Sequence, residues 1–192
     1  MTYQKTYQQR ARFIRRLMIE GIVAVAGLGM LTAMPVVAYE LVSPWQVAQG
    51  VLYSSSPGRF AISFPTTPEI TTEDDDIDGD PVEIKTFRTA TTTSQYMVMY
   101  TDLPTTFLSQ GTEDVLDALR DYSFEDIDIE ALLASEINVQ LGGHPGRRYR
   151  YSQGDGTIDI RLYLVDERAY LLLAVDNNET NVDRFISSFA LR

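Results

Sequence analysis

A run of eighteen apolar residues, Gly21–Ala38 (GIVAVAGLGMLTAMPVVA), divides this chain into two parts of opposite charge. Upstream, Lys5, Arg10, Arg12, Arg15 and Arg16 stand against one acid, Glu20, a balance of +4. Downstream the balance is −15, which leaves −11 for the whole chain. Leu17, Met18 and Ile19 extend the run beyond Glu20. A helix needs about 20 apolar residues to cross a hydrocarbon core ~30 Å thick, and residues 17–38 meet that length. Gly21, Ile22, Val23, Leu28, Leu31 and Val36 are then the residues set against acyl chains. Glu20, near one end, reaches the headgroups or an arginine. The basic cluster holds the N-terminus in the cytoplasm by the positive-inside rule, so the acidic remainder is exported.

Two readings share this orientation. One is an uncleaved signal-anchor with a single span; the other is a signal peptide cut after Val36-Val37-Ala38. A small-xxx-small pair, Gly29 and Ala33, is expected by chance among so many small residues. The expected organisation is a basic cytoplasmic N-terminus (1–16), the apolar segment (17–38), a connector (39–57) and one domain (58–192). The connector holds the only tryptophan, Trp45, which sits on the headgroup layer or docks on the domain. Ser54-Ser55-Ser56-Pro57 reads as its linker end.

Composition removes several function classes. An acidic chain does not bind nucleic acid through overall basic charge. With no cysteine there is no disulfide, thiolate metal site or cysteine nucleophile, and a single histidine leaves no histidine-rich metal cage. No glycine-rich phosphate loop, nucleophile elbow or zinc motif is visible, so no enzyme is expected.

From Gly58 the pattern is strand-like. Phe60, Ile62 and Phe64 alternate with small or polar residues until Pro65. Glu69–Asp74 and Val82–Thr91 flank an acidic Asp-Gly turn and predict a hairpin. Ser94–Thr101 is a strand with Tyr96, Val98 and Tyr100 on one face. Thr112 is expected to cap a helix whose buried stripe is Val115, Leu116, Leu119 and Tyr122, with Phe124–Ala134 a second helical stretch. Ser135–Leu141 predicts a strand, Gly142-Gly143-His144-Pro145-Gly146 a turn, and Arg147–Ser152 the returning strand. Thr157–Val165 alternates, and Tyr170–Val175 is apolar throughout, as in a central strand buried on both sides. A closing helix over Thr180–Ser188 presents Val182, Phe185 and Ile186, followed by Phe189. Most of the strand connections are too short for parallel crossovers, so the expected class is α+β, an antiparallel sheet with helices packed on it.

The order of Phe60-Ala-Ile-Ser-Phe-Pro65, Gly143-His-Pro-Gly146, Arg161-Leu-Tyr-Leu-Val165 and Phe185-Ile-Ser-Ser-Phe-Ala-Leu191 resembles the PsbP family over residues 58–192. That family comprises the extrinsic proteins of photosystem II and related bacterial exported domains. The resemblance implies a non-catalytic lumenal or periplasmic accessory protein docked on a membrane complex. No match to the photosystem subunit's N-terminal docking segment is present, and the apolar span departs from that soluble protein.

Within Glu73–Asp80 (EDDDIDGD), Asp74, Asp76, Asp78 and Gly79 match the start of a calcium loop. The twelfth position is Lys85 rather than glutamate, so the alternatives are a weak calcium or manganese site, a solvated hairpin tip, and a docking loop that includes Asp75 and Asp80. His144 has no carboxylate or nucleophile adjacent in sequence and reads as a turn residue. Alternation places Arg148 and Arg150 on one face and Arg147, Tyr149 and Tyr151 on the other. The two arginines either dock anionic partners or pair with the domain's own acids. Asn178-Glu179-Thr180 is a glycosylation triplet usable only on an endoplasmic-reticulum route, and Met97 and Met99 are expected to be packing residues. The functional expectation is a membrane-tethered accessory or stabilising subunit with a membrane protein complex and the bilayer as partners, in the thylakoid lumen or periplasm. The alternative is an exported domain that binds a small molecule or a calcium or manganese ion.

Overall fold

The computed structural model describes residues 50–124 and 129–192. The apolar segment and Trp45 therefore lie outside the described residues, among which no helix is long and apolar enough to cross a membrane.

The described residues form ten strands: β1 (Val51–Ser55), β2 (Phe60–Phe64), β3 (Glu69–Ile77), β4 (Asp80–Ala90), β5 (Gln95–Asp102), β6 (Ile137–Leu141), β7 (His144–Gln153), β8 (Gly156–Val165), β9 (Arg168–Asp176) and β10 (Ala190–Leu191). The helices are α1 (Thr105–Leu108), α2 (Thr112–Ser123), α3 (Ile129–Ala134) and α4 (Glu179–Ser187). A seven-stranded sheet runs in the order β3-β4-β5-β9-β8-β7-β6 and is antiparallel at every pairing. A three-stranded sheet, β1-β2-β10, accompanies it.

Strand alternation explains the layering. Ile158, Ile160, Leu162 and Leu164 of β8, with Met97 and Met99 of β5, point to the face covered by Val115, Leu116 and Leu119 of α2 and by Leu132 of α3. Tyr96, Val98 and Tyr100 point the opposite way, into an aromatic core with Phe60, Phe64, Phe185 and Phe189. Every residue of β9 is buried, as its unbroken apolar run predicts for a strand covered on both faces. The α+β antiparallel expectation holds. The second face, however, is covered by the small sheet as well as by α4.

Several local expectations are corrected. The Ser-rich stretch is not a linker: Val51–Ser55 pairs antiparallel with β2 along its whole length, so the folded unit begins before residue 58. Ser55 Oγ accepts from the Gly58 N–H at 2.9 Å, while Arg168 Nη1 donates to the Pro57 carbonyl and the Tyr170 hydroxyl to that of Gly58. Thr112 is the first residue of α2 rather than its cap; the cap position is Gly111, at φ 98°, where glycine carries no steric penalty. The turn after β6 is Gly142-Gly143 alone, because His144 already pairs with Leu141 and Pro145 with Gln140. Gly146 lies within β7, where a Cβ would stand 2.3 Å from the Leu162 carbonyl oxygen and 2.5 Å from the Tyr163 ring.

Candidate functional site

The acidic segment forms a strand rather than an ion-binding loop. β3 continues to Ile77, and Asp78 and Gly79, both at positive φ, make the two-residue turn that suits a right-twisted hairpin. Asp76 Oδ1 accepts from the Gly79 N–H at 2.9 Å and closes this turn. Alternation places Asp74 and Asp76 on one face of β3 and Asp75 on the other, opposite Val82. Asp74 and Asp76 share a face, but no group of three metal-ligating side chains occurs among the described residues. Asp75 and Asp80 serve the domain itself. Asp75 Oδ2 accepts from the Tyr122 hydroxyl of α2 at 2.5 Å, and Asp80 Oδ2 accepts from the Thr106 hydroxyl of α1 at 2.6 Å.

The arginines of β7 divide between the faces as expected. Arg148 and Arg150 reach across to Asp159 of β8, which is 0% exposed. Arg161 Nε donates to the same carboxylate at 2.7 Å. Arg150 also holds Glu179 and Asp183 of α4, so this cluster fastens the last helix to the sheet. On the other face the buried Arg147 pairs with Glu113 of α2 and lies 3.6 Å from both Asp117 and Glu136. Tyr149 donates to Glu136 at 2.7 Å, and burial together with this carboxylate pushes its phenol above the usual tyrosine range. At the opposite end of the sheet Arg168 grips Asp102 with two hydrogen bonds of 2.6 and 2.7 Å and lies over the Tyr100 ring. The hydrogen bonds from Arg168 hold the Asp102 carboxyl below its ordinary range. Arg150 is consumed in internal pairing, which removes it as a free docking cation.

Two remaining sequence features are structural. Asn178 caps α4 by accepting from the Thr180 N–H at 3.0 Å, and Met97 and Met99 are buried in the helix-covered core. A small apolar cavity of about 40 Å³ lies between α2 and the sheet, lined by residues that include Met99, Leu119, Leu162 and Leu171.

The exposed large apolar residues sit at strand edges and beside them. Leu52 of β1 is 66% exposed, and Val51 is exposed next to it. Ile70 of β3, also exposed, stands opposite Phe87, whose ring packs 5.3 Å from Tyr53. Val51, Leu52 and Ile70 thus border one margin of the aromatic core, beside acidic β3. Ile137 and Leu133 are exposed at the other edge, on β6 and α3. Sequence reasoning missed β1, the element that carries Val51 and Leu52, because its Ser-rich end reads locally as a turn.

No protein-family model and no curated protein matches the chain. Among solved structures it is similar to the solution structure of cyanobacterial PsbP from Synechocystis sp. PCC 6803. Identity there is 12% and the TM-score 0.45, over 86% of this chain and 99% of that one. It is also similar to a crystal structure from Bacteroides thetaiotaomicron, at 12% identity and a TM-score of 0.42, over 76% of this chain. The match covers 49% of the Bacteroides chain, so this chain spans about half its length.

Proposed function

We propose that this chain is a non-enzymatic, membrane-tethered accessory subunit whose exported domain docks on a membrane protein complex, with no bound cofactor and no nucleic-acid partner. The carrying observation is the distribution of unsatisfied surface. Arg147, Arg150, Arg161 and Arg168 are spent on internal carboxylates, whereas exposed apolar side chains gather where strands end the sheets. Apolar residues at a strand margin, rimmed by acids, suit contact with another protein. The margin formed by Val51 and Leu52 is also the one reached first from the apolar segment, so a tether at residues 17–38 would raise the local concentration of a membrane-bound partner. In this reading the N-terminus is cytoplasmic and the domain lies in the periplasm or the thylakoid lumen. The PsbP resemblance supplies a photosynthetic complex as the finer form of the partner.

The test is site-specific photo-crosslinking from positions 52 and 70 in native membranes, with solubilisation in gentle detergent. The expected result is one stoichiometric adduct, lost in Leu52→Asp and Ile70→Asp variants that keep the wild-type melting temperature. Migration of the uncrosslinked protein alone, with no adduct at either position, would refute the reading.

A further inference from the structure

Arg88 differs from the arginines that clamp this domain. It lies half-buried on β4, yet among the described residues it makes no ion pair, and its Nε is buried without a partner. Glu69 stands directly opposite on β3 but does not take it. In a part of the chain that carries −15, an arginine without a carboxylate is out of keeping with its surroundings.

A second group completes the arrangement. Gln95 opens β5 and is 3% exposed, and neither its Nε2 nor its Oε1 has a hydrogen-bond partner. Leaving both halves of a buried amide unpaired carries the full desolvation penalty of each. Arg88 faces Met97, the residue two beyond Gln95, while Gln95 faces Ala90 on one side and Val175 on the other. Arg88 and Gln95 therefore occupy the same face of the sheet as diagonal neighbours on adjacent strands, a separation of about 7–8 Å that both long side chains can span. Their unused groups are guanidinium N–H donors, one amide NH₂ donor and one amide carbonyl acceptor.

We propose that Arg88 and Gln95 form a binding site for a carboxylate whose neighbouring group donates a hydrogen bond. Arg88 takes the carboxylate in charge-assisted hydrogen bonds, which its planar fork favours. Gln95 Nε2 adds a donor to the same group, and Gln95 Oε1 accepts from the adjacent N–H or O–H. This chemistry belongs both to the C-terminal end of a polypeptide and to small free acids that carry a neighbouring donor. The proposal stands on buried polar groups on the face of the sheet opposite the Phe87 ring, and does not depend on the docking reading.

The experiment is an NMR titration of the full chain in detergent micelles, following the Arg88 Nε–H and Gln95 side-chain amide signals at constant ionic strength. The probes are acetate, acetylglycine, a longer acetylated peptide with a free C-terminus and acetylglycine amide, with chloride as the control anion. Acetylglycine should give saturable millimolar shifts, about tenfold tighter than acetate, and the amide should give none. Arg88→Gln should abolish binding. Gln95→Leu should raise the melting temperature, since it removes an unpaired buried amide, while weakening acetylglycine about tenfold. Glu69→Gln should tighten binding by removing the nearest competing acid. A preference for acetylglycine over acetate supports the proposal. A longer acetylated peptide that binds at least as well assigns the site to chain termini, and one that binds more weakly assigns it to small free acids. Equal affinity for acetate and acetylglycine overturns the role of the neighbouring donor. The proposal falls if no carboxylate gives saturable shifts, if the neutral amide binds as well as the acid, or if Arg88→Gln leaves binding unchanged.

Discussion

Replacing Phe60 by alanine tests whether the small sheet is an integral layer of the domain. The Phe60 side chain is fully buried and touches rings from four other segments. Its centroid lies 5.2 Å from Phe87 of β4, 6.4 Å from Tyr100 of β5, 6.4 Å from Tyr170 of β9 and 5.5 Å from Phe189 after α4. A Phe→Ala change in a core costs about 3–5 kcal/mol, and loss of several edge-on and stacked contacts places this one near 4–5. With an unfolding entropy of about 2.1 cal/mol/K per residue over roughly 140 residues, the midpoint should fall by about 15 °C. Thermal unfolding of the full chain in detergent, followed by near-ultraviolet circular dichroism, reads this directly. Leu52→Ala, at an exposed position of the same sheet, serves as the control and should shift the midpoint little. A fall of less than about 5 °C in Phe60→Ala would refute the reasoning. So would hydrogen exchange that shows β1, β2 and β10 opening while the seven-stranded sheet keeps its wild-type protection, because the two sheets would then be separate units.

Four further outcomes follow from the same packing. Asp159→Asn should destabilise by about 3 kcal/mol in urea unfolding, since it leaves three arginines around a buried site without their shared carboxylate. Gly146→Ala should cost about 2–3 kcal/mol and release the Tyr163 ring, visible in its aromatic NMR signals, because the added Cβ meets backbone. Tyr122→Phe should cost about 1 kcal/mol and speed amide exchange in β3, by removing the hydrogen bond that holds Asp75 to α2. The folded Asp102 carboxyl is depressed by Arg168, so its contribution is present above the unfolded carboxylate range and is lost as pH falls through the folded value. Asp102→Asn should therefore flatten the acid limb of the stability–pH curve; an unchanged slope below about pH 4 would contradict the pairing.

Those features that local chemistry determines were legible in the chain. The unbroken run of Tyr170–Val175, in an apolar stretch bounded by Arg168 and Asp176, has the length and composition of a strand covered on both faces, and Val182, Phe185 and Ile186 share a face on a helix. Alternation likewise separated Arg148 and Arg150 from Arg147. The misread segments are those whose state depends on distant partners. Val51–Ser55 ends in turn-forming residues, yet pairing with β2 holds it extended, and Arg168 and Tyr170 grip the following carbonyls from more than a hundred positions away. His144-Pro145-Gly146 has turn chemistry, but β7 has β6 and β8 on either side, and Gly146 is required beside Tyr163 rather than in a bend. The role of Asp159 follows from its register opposite Arg150, and the shared face of Arg88 and Gln95 from the register of β4 on β5. No single segment contains either relation.

Recognition of β1 as part of the domain sharpens the tether argument. A connector reaching residue 57 would have allowed the domain to range widely; with β1 beginning at Val51, roughly a dozen residues separate it from the apolar segment, a maximum reach of about 40 Å at ~3.5 Å per residue. In the tethered form we propose, a domain held within that distance meets only partners close to the membrane surface, and Val51 and Leu52 are the first exposed large apolar side chains among the described residues. Inserting about twenty Gly/Ser residues before residue 50 leaves every described contact intact but should lower the effective concentration about fourfold, by the −3/2 dependence on linker length. The crosslinking yield from position 52 under subsaturating partner should fall accordingly, while the melting temperature stays constant. An undiminished yield would mean that binding does not draw on the tether, which would favour the cleaved form of the N-terminal segment over the anchored one.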